Sequence, residues 1–543
     1  MSELWIIEAP GKAHTLESLL AKLGFDAKVQ ATKGHFLSMP KSLSPLGIDS
    51  RLHEFLRAPR DMDLYLRVRS MAKEASRVII ATDADDEGDV IGWDVAEAVS
   101  DIHPAQVRVR LKGMDEESIR EAVVDAGPVR RDDAVPGRTR AIIDRMIGAA
   151  FSANGVGVGR VRMAMLGVIA RDKPTVWRLK LSAPAKDGGR PWLAECDIKE
   201  PLTRELADRL ARLTFPALDM ASSSSFTAPP QHMGDIMVRA ADRLDMPPAE
   251  TARSMQRSYE SGRLSYPRAG SRGMSRSAAR RVRKALEKAG FKFDAEAVKE
   301  KSEGEVHDAP HPIGAVNASF DPRKLGADEG VRAMIARGLV RTGQVHARER
   351  PGVARLEAFL IREGFQPAVA KHVAGLDWRR EQGPRYPDQE SWGRSEVVAR
   401  RPDAVLLEAM LETGLGRPST WATHVESFLQ HGLVDEDINL TAKGEAWMAA
   451  SPPELLDPRL SVAIEKACGR TFPAMFADGS REPWEALAEK IVRALPPALQ
   501  QPMLAAVAAE HAWPRQDFRA LAEPGIDFAA LQQTHAPAYT PDT

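Results

Sequence analysis

Cysteine is almost absent from this sequence of 543 residues. Cys196 and Cys468 are its two cysteines, and they lie far apart in the chain. A zinc ribbon needs four closely spaced ligands, and a disulfide framework needs several cysteines that can pair. The sequence therefore excludes both, and it favours a protein that resides in a reducing cytoplasm.

Long apolar runs and an excess of one charge are also missing. No apolar run is long enough to span a bilayer, and the N-terminal "MSELWIIEAPGK" has an early acid and too short an apolar stretch for a signal peptide. The formal net charge is −1, so whole-protein electrostatics predicts no polyanionic partner. The phosphate-loop pattern Gly-x-x-x-x-Gly-Lys is also absent.

The charge is nevertheless unevenly distributed. Residues 251–284 contain ten Arg or Lys and a single acid, Glu260. A local basic surface of this kind can bind phosphates even in a neutral protein. A solvated helix face has the same composition, and charge alone leaves both interpretations open.

The length predicts roughly three to five domains. Residues 1–125 alternate short apolar runs with helical patterns, which predicts an α/β domain with a largely parallel sheet. A helical pattern follows, then the strand-like "VWRLKLSA" and "WLAECDI", and the Ser-rich "ASSSSFTAPPQ" at 221–231 predicts a connection between elements. Helices resume after residue 232 and dominate 400–500. The Pro- and Ala-rich segment after about 510 predicts a loosely ordered tail.

The segment "ATDADDEGD" at 81–89 is unusually acidic for a position directly after an apolar run, "RVII". Side chains alternate along an extended chain, so Asp83, Asp85 and Glu87 would point the same way. Three such carboxylates suit Mg²⁺, although an acidic helix cap gives the same pattern. Glu8 ends an earlier predicted strand, and Lys12 follows four residues later. Carboxylates and a lysine at neighbouring strand ends suit metal-assisted phosphoryl transfer.

This combination resembles the Toprim domain of topoisomerases, bacterial primases and some nucleases. Further segments resemble type IA DNA topoisomerases of the bacterial topoisomerase I kind, in the family's order over roughly residues 3–450. The segment "GRLSYPRAGSRGMS" at 262–275 resembles the stretch of that family that contains the active-site tyrosine. The other matching segments are "KGHFLSMP", "RTRAIIDRMIGAAFS", "VGRVRMAML", "FTAPPQHMGDIMVRAADRL", "EVHDAPHPIG", "GLGRPSTWATHVESFLQHGLV" and "LTAKGEAW".

The resemblance implies a catalytic activity and a set of residues that perform it. Tyr266 would attack a DNA phosphate and retain one end as a 5′-phosphotyrosine, so that strand passage and religation relax negative supercoils without ATP. Glu8 would protonate the leaving oxygen, and Lys12, Arg268 and His307 would complete the catalytic set; His311 lies close to His307 in sequence. Mg²⁺ would be held by Glu8, Asp83, Asp85 and Glu87, and we expect no zinc. The expected DNA-binding residues are His35, Arg140, Asp144, Arg160, Arg417, Ser419 and Thr420.

The implied architecture is a multidomain α/β and α-helical protein with a toroidal core and a β-rich arch. The expected domains are a Toprim domain (1–125), a helical DNA-binding domain (126–180 and 400–500), the arch (181–245 and 346–399), the tyrosine domain (246–345) and a C-terminal tail (501–543). The expected partner is DNA with single-stranded segments, bound by a cytoplasmic, nucleoid-associated monomer without membrane contact.

The sequence also departs from this family. Asp86 stands where the family has Arg, Ala269 and Gly270 follow Arg268 in place of Thr-Asp, and Arg162 and Met163 replace Gln-Ser. The family's C-terminal zinc ribbons are missing. Two alternatives remain: a Toprim nuclease or primase, which would not need Tyr266, and a catalytically inactive DNA-binding scaffold.

Overall fold

The protein's structure is a computed structural model that describes residues 2–153, 155–302, 305–383, 392–469 and 481–510. The described strands, in chain order, are β1 (Glu3–Ile7), β2 (Ala27–Ala31), β3 (Leu37–Ser38), β4 (Ala58–Pro59), β5 (Val78–Ile80), β6 (Val107–Arg108), β7 (Gly127–Pro128), β8 (Trp177–Ala183), β9 (Trp192–Asp197), β10 (Met220–Thr227), β11 (Val345–Pro351), β12 (Arg380–Gln382) and β13 (Glu396–Ala399).

The described α-helices are α1 (Ala13–Lys22), α2 (Met62–Glu74), α3 (Asp86–Ala98), α4 (Glu116–Val124), α5 (Val135–Phe151), α6 (Arg160–Asp172), α7 (Arg204–Ala211), α8 (Met233–Leu244), α9 (Pro248–Glu260), α10 (Arg276–Lys288), α11 (Ala327–Thr342), α12 (Ala354–Arg362), α13 (Pro367–Ala374), α14 (Pro402–Thr413), α15 (Trp421–Gln430), α16 (Ala442–Ala449), α17 (Pro458–Cys468), α18 (Pro483–Arg493) and α19 (Pro497–Ala508). Short 3₁₀ helices lie at Pro10–Lys12, Arg131–Ala134, Pro322–Lys324 and Pro453–Leu456.

The chain divides into two compact units. The first comprises the described parts of residues 1–110, 122–150 and 468–543, and the second comprises those of 111–121 and 151–467. The five predicted domains stay predictions, because this division is coarser. The predicted tail after residue 510 lies outside the described residues.

The first unit is built on the sheet β2-β1-β5-β6-β7. Strand β1 pairs in parallel with β2 and β5, β5 pairs in parallel with β6, and β7 closes the edge antiparallel. Leu4 and Ile6 of β1 pack with Val78 and Ile80 of β5 against α2 and α3. Trp5 and Ile7 are equally buried, as expected for a parallel sheet covered on both faces. The predicted α/β fold is confirmed.

The second unit contains two antiparallel three-stranded sheets, β13-β8-β9 and β10-β11-β12, together with helices α6–α16 and most of α17. One hydrophobic cluster joins residues between 179 and 218 to residues between 356 and 378, so the two expected arch segments share a core. The multidomain α/β plus helical fold class is thus confirmed. No described helix is both long enough and apolar enough to cross a membrane.

The prediction for the Ser-rich segment was wrong. Residues 220–227 form strand β10, which pairs antiparallel with β11 over most of its length. Its serines are exposed, and β10 lies at a sheet edge. The strand is fixed by backbone pairing, for which the serine side chains give no signal.

Candidate active site and nucleic-acid interface

The acidic segment of the first unit makes a tight turn between β5 and α3. Asp85 is the N-cap of α3, and its Oδ1 accepts a hydrogen bond of 2.8 Å from the Gly88 amide. A Cβ at position 88 would overlap the carbonyl oxygen of Asp83, so only glycine fits. The Thr82 hydroxyl donates to the Gly88 carbonyl at 2.6 Å. The acidic helix cap weighed from sequence is therefore present.

Lys12 and Asp83 form a buried ion pair. Their side chains are 1% and 2% exposed. They meet because β1 and β5 are adjacent parallel strands, whose C-terminal ends lie at the same edge of the sheet. Glu8 follows β1 directly and is also buried. The sequence-based expectation that these two strand ends face each other is confirmed.

A buried arginine, Arg108, fixes the backbone of this edge. Its guanidinium donates to the carbonyls of Thr82 and Asp83, both at 2.8 Å, and to Asp89 Oδ1 at 2.9 Å. Burial lowers the pKa of Arg108, and the Asp89 carboxylate acts in the opposite direction. Sequence reasoning missed this residue, since an arginine on a two-residue strand carries no local signal of its role.

The carboxylates at this edge have the chemistry that Mg²⁺ prefers, but they do not form a cage. Asp83 contacts Lys12, one oxygen of Asp85 caps α3, and Glu87 Oε1 lies 3.4 Å from His35 Nε2. Within the described ranges, no three His, Cys, Asp or Glu side chains are grouped closely enough to hold a metal ion. Mg²⁺ is commonly bound by one or two carboxylates together with substrate phosphate. The half-buried Asp85 and Glu87 fit that mode, and the predicted metal site stays a prediction.

Asp86, where the related family has arginine, is paired with a predicted DNA-binding residue. Arg140 Nη2 donates to Asp86 Oδ2 at 2.9 Å, and the Arg140 side chain is only 8% exposed. Helix α5 also carries Arg145, which donates to the carbonyls of Pro40, Ser42 and Leu46. Asp144 is half-buried on the same helix. The negative charge of Asp86 is thus offset by Arg140.

Tyr266 lies in the segment between α9 and α10 of the second unit and is buried. Its ring stacks on His307, with centroids 4.1 Å apart and planes inclined by 26°. Tyr259 packs edge-on against the same ring at 5.5 Å. The Tyr266 amide donates to the Lys112 carbonyl at 3.1 Å. The phenol is therefore held by two rings and a backbone hydrogen bond.

The two histidines of "EVHDAPHPIG" have different surroundings. His307 contacts the tyrosine ring. His311 is buried, its amide donates to Ser265 Oγ at 2.9 Å, and its Nδ1 lies 2.9 Å from the Ala309 carbonyl. Burial lowers the pKa of His311. His311 therefore anchors the loop, and His307 is the histidine that reaches the tyrosine.

The residues after Tyr266 are tied to neighbouring elements. Arg268 is half-buried. Ser271 Oγ donates to Glu305 Oε2 at 2.6 Å, and Arg272 forms a two-pronged pair with Asp235 of α8, both bonds being 2.8 Å. The Arg272–Asp235 ion pair thus attaches the segment that follows Tyr266 to α8.

The basic stretch on α10 is ion-paired. Arg280 lies 3.7 Å from Glu296, Arg281 lies 3.2 Å from Glu121, and Arg283 lies 3.9 Å from Glu287. These acids lie outside residues 251–284, so the local charge count overstated the positive surface. The Arg280 and Arg283 side chains remain 61% and 45% exposed, so these pairs do not decide between an ion-paired helix face and a phosphate-binding surface.

Two predicted DNA-binding arginines of the second unit share one carboxylate. Arg160 and Arg417 both pair with Glu465 of α17, at 3.0 and 3.3 Å. Thr420 Oγ1 accepts from the Arg417 amide at 3.2 Å, and Ser419 is half-buried. Sequence reasoning missed Glu465, which lies 305 residues from Arg160.

Known proteins resemble this chain in sequence and in fold. Residues 3–112 match the Toprim domain family. DNA topoisomerase 1 of Campylobacter jejuni is 25% identical over 364 residues, covering 59% of this chain and 50% of that protein. Its counterpart from Synechococcus elongatus is 24% identical over 563 residues, covering 86% and 63%. The Aquifex aeolicus protein is 23% identical over 480 residues, covering 80% and 87%. The chain thus spans about half to two thirds of the first two relatives.

The fold is similar to that of full-length topoisomerase I from Thermotoga maritima. The TM-score is 0.58 at 16% identity, and the match covers 90% of this chain and 89% of that one. The class defined by the fold is therefore that of Toprim-containing topoisomerase folds. Within that class, this chain is a type IA topoisomerase-like protein.

Proposed function

We propose that this chain is an active type IA DNA topoisomerase. It cuts one DNA strand through a 5′-phosphotyrosine at Tyr266, passes a second strand, and reseals the break without ATP, relaxing negatively supercoiled DNA. The observation that carries the proposal is the stack of Tyr266 on His307 at 4.1 Å. It lies in the segment that resembles the family's tyrosine motif, in a chain with the matching fold.

The chemistry follows from the reactivity of a phenol. Tyr266 Oη attacks phosphorus and releases its proton to solvent, the bond from phosphorus to the leaving 3′ oxygen breaks, and Glu8, in its protonated form, gives that oxygen a proton. A tyrosine has an ordinary pKa of about 10, so cations near the developing charge are needed. We assign that role to Arg268, to Lys12 on the phosphate, and to His307 when it is protonated. Resealing is the reverse reaction.

Asp83, Asp85, Glu87 and Glu8 are the residues that would hold Mg²⁺. The ion would supply positive charge to neutralise phosphate oxygens and fix their position. Asp85 and Glu87 are the more accessible of the four, since Asp83 and Glu8 are buried.

The proposed DNA contacts fall into two groups. Arg417, Ser419 and His35 are partly exposed and would touch phosphate directly. Arg140 and Arg160 are buried, so they would act mainly by holding neighbouring groups. Asp144 and Thr420 would support these contacts. We propose single-stranded segments as the preferred substrate and a cytoplasmic, nucleoid-associated monomer as the working form.

A relaxation assay on negatively supercoiled plasmid tests the proposal. Tyr266→Phe should abolish relaxation while single-stranded DNA binding stays nearly intact, because only the nucleophilic oxygen is lost. Tyr259→Phe, which removes a hydroxyl from the adjacent ring, is the matched control and should relax DNA.

Other outcomes would identify the alternatives. Tyr266→Phe protein that still cuts or primes DNA would favour a Toprim nuclease or primase. Wild-type protein that binds DNA but never cuts it would indicate an inactive scaffold.

A further inference from the structure

Glu465 joins two motifs that are far apart in the sequence. Its Oε2 accepts from Arg160 Nη2 at 3.0 Å, and its Oε1 lies 3.3 Å from Arg417 Nε. Each carboxylate oxygen therefore faces a different guanidinium. Two neighbouring guanidinium groups repel each other, and a carboxylate between them offsets that repulsion.

The Arg160 end of this bridge is fixed. The Arg160 side chain is 4% exposed, and its Nη1 donates to the Ser461 carbonyl at 2.8 Å and lies 3.2 Å from Ser461 Oγ. Ser461 and Glu465 are one turn apart on α17, so a single arginine binds one face of that helix. A planar guanidinium with several such bonds is rigid and has little surface left for DNA.

The Arg417 end is the accessible one. Its side chain is 27% exposed, and it lies in a loop where Gly414 and Gly416 both have φ of +71°. The Arg417 amide donates to Thr420 Oγ1, which fixes the backbone before α15. A flexible arginine in a loop loses side-chain entropy when it binds a phosphate. A partner that already limits its rotamers reduces that loss.

We propose that Glu465 is a positioning residue that holds the Arg417 guanidinium in place for a DNA phosphate and is itself held by Arg160. This inference rests on the proposed function, because it concerns the grip on the DNA strand. It assigns Arg160 an indirect role, through Glu465, in place of a direct phosphate contact.

Glu465 could instead compete with DNA for Arg417, and that role predicts tighter DNA binding when its charge is removed. A carboxylate that merely occupies the phosphate site would leave when DNA binds, so removing its charge would tighten binding. The division of its two oxygens between two arginines, with the Arg160 side buried, argues for a permanent bridge.

The test is a double-mutant cycle on binding of the full chain to a single-stranded oligonucleotide, measured over a range of NaCl concentrations. Glu465→Gln should reduce the magnitude of the salt slope of log K by about 0.7 and weaken binding roughly fourfold at 0.15 M salt, the loss of one phosphate contact. Arg417→Ala should cause the same loss, and the double variant should add little to it. Glu465→Asp should recover part of the affinity.

Two controls separate positioning from general effects. Glu445→Gln removes an exposed acid of α16 and should leave the slope unchanged. Thermal unfolding of each variant reports stability, and a purely structural role would lower stability without changing the slope.

Three results would overturn the inference. They are tighter binding by Glu465→Gln, an unchanged slope, or fully additive effects of the two substitutions. Wild-type protein that binds no single-stranded DNA would reject the proposed function as well. If any of the three results is found while the wild-type protein still relaxes plasmid DNA, only this inference is rejected and the proposed function stands.

Discussion

Replacing Lys12 by methionine should strongly destabilise the first unit. The Lys12 and Asp83 side chains are 1% and 2% exposed, so the substitution leaves a buried carboxylate without its ammonium partner. Breaking a buried ion pair from one side typically costs about 3–5 kcal/mol. Methionine keeps a similar length and packing, so most of the loss should be electrostatic.

The double variant Lys12→Met/Asp83→Asn separates charge from packing. Removing both charges avoids the uncompensated carboxylate, so the double variant should recover at least about half of the loss. The free energy of unfolding is measured by urea denaturation, with tryptophan fluorescence as the signal. The m value, which is the dependence of that free energy on urea concentration, is compared between the variants. A Lys12→Met loss below about 1 kcal/mol, or a double variant no more stable than the single one, would refute the buried ion pair.

Three further predictions concern the turn, the loop histidine and the metal. Gly88→Ala should lower the free energy of unfolding, because the new Cβ would overlap the Asp83 carbonyl; an unchanged urea midpoint would contradict this. Burial lowers the pKa of His311 below its unfolded value of about 6.5, so the unfolded state binds its proton first and stability should fall as pH drops below about 6.5. Urea midpoints between pH 5 and 8 should show a smaller fall in His311→Gln. EDTA should stop plasmid relaxation, and unchanged relaxation rates would show that the acidic cluster is no functional metal site.

The sequence predicted those features that depend on local pattern. Apolar runs followed by helical patterns predicted the order of β1, α1, β5 and α3, and a parallel sheet allowed the ends of β1 and β5 to face each other. The Lys12–Asp83 ion pair between them was not predicted. The segment "GRLSYPRAGSRGMS" indicated Tyr266, and "EVHDAPHPIG" indicated a histidine, although sequence proximity alone did not choose between His307 and His311. The structure separated them, because one ring stacks on the phenol and the other is bound to the loop backbone.

The features that sequence did not predict depend on distant partners. Glu465 gains its role from arginines 305 and 48 residues away, and no periodicity in α17 indicates that. The arginines of α10 looked like a basic surface because their carboxylate partners lie outside the stretch. Strand β10 is polar, since edge pairing needs only its backbone.

Identification of the covalent intermediate tests the central claim most directly. The protein is incubated with a single-stranded oligonucleotide, denatured, and digested, and the DNA-linked peptide is identified by mass spectrometry. The proposed function predicts a peptide containing Tyr266 joined through its phenolic oxygen to the 5′ phosphate of the cut strand, and no adduct in Tyr266→Phe. Linkage to a 3′ phosphate, or an adduct on any other residue, would contradict it.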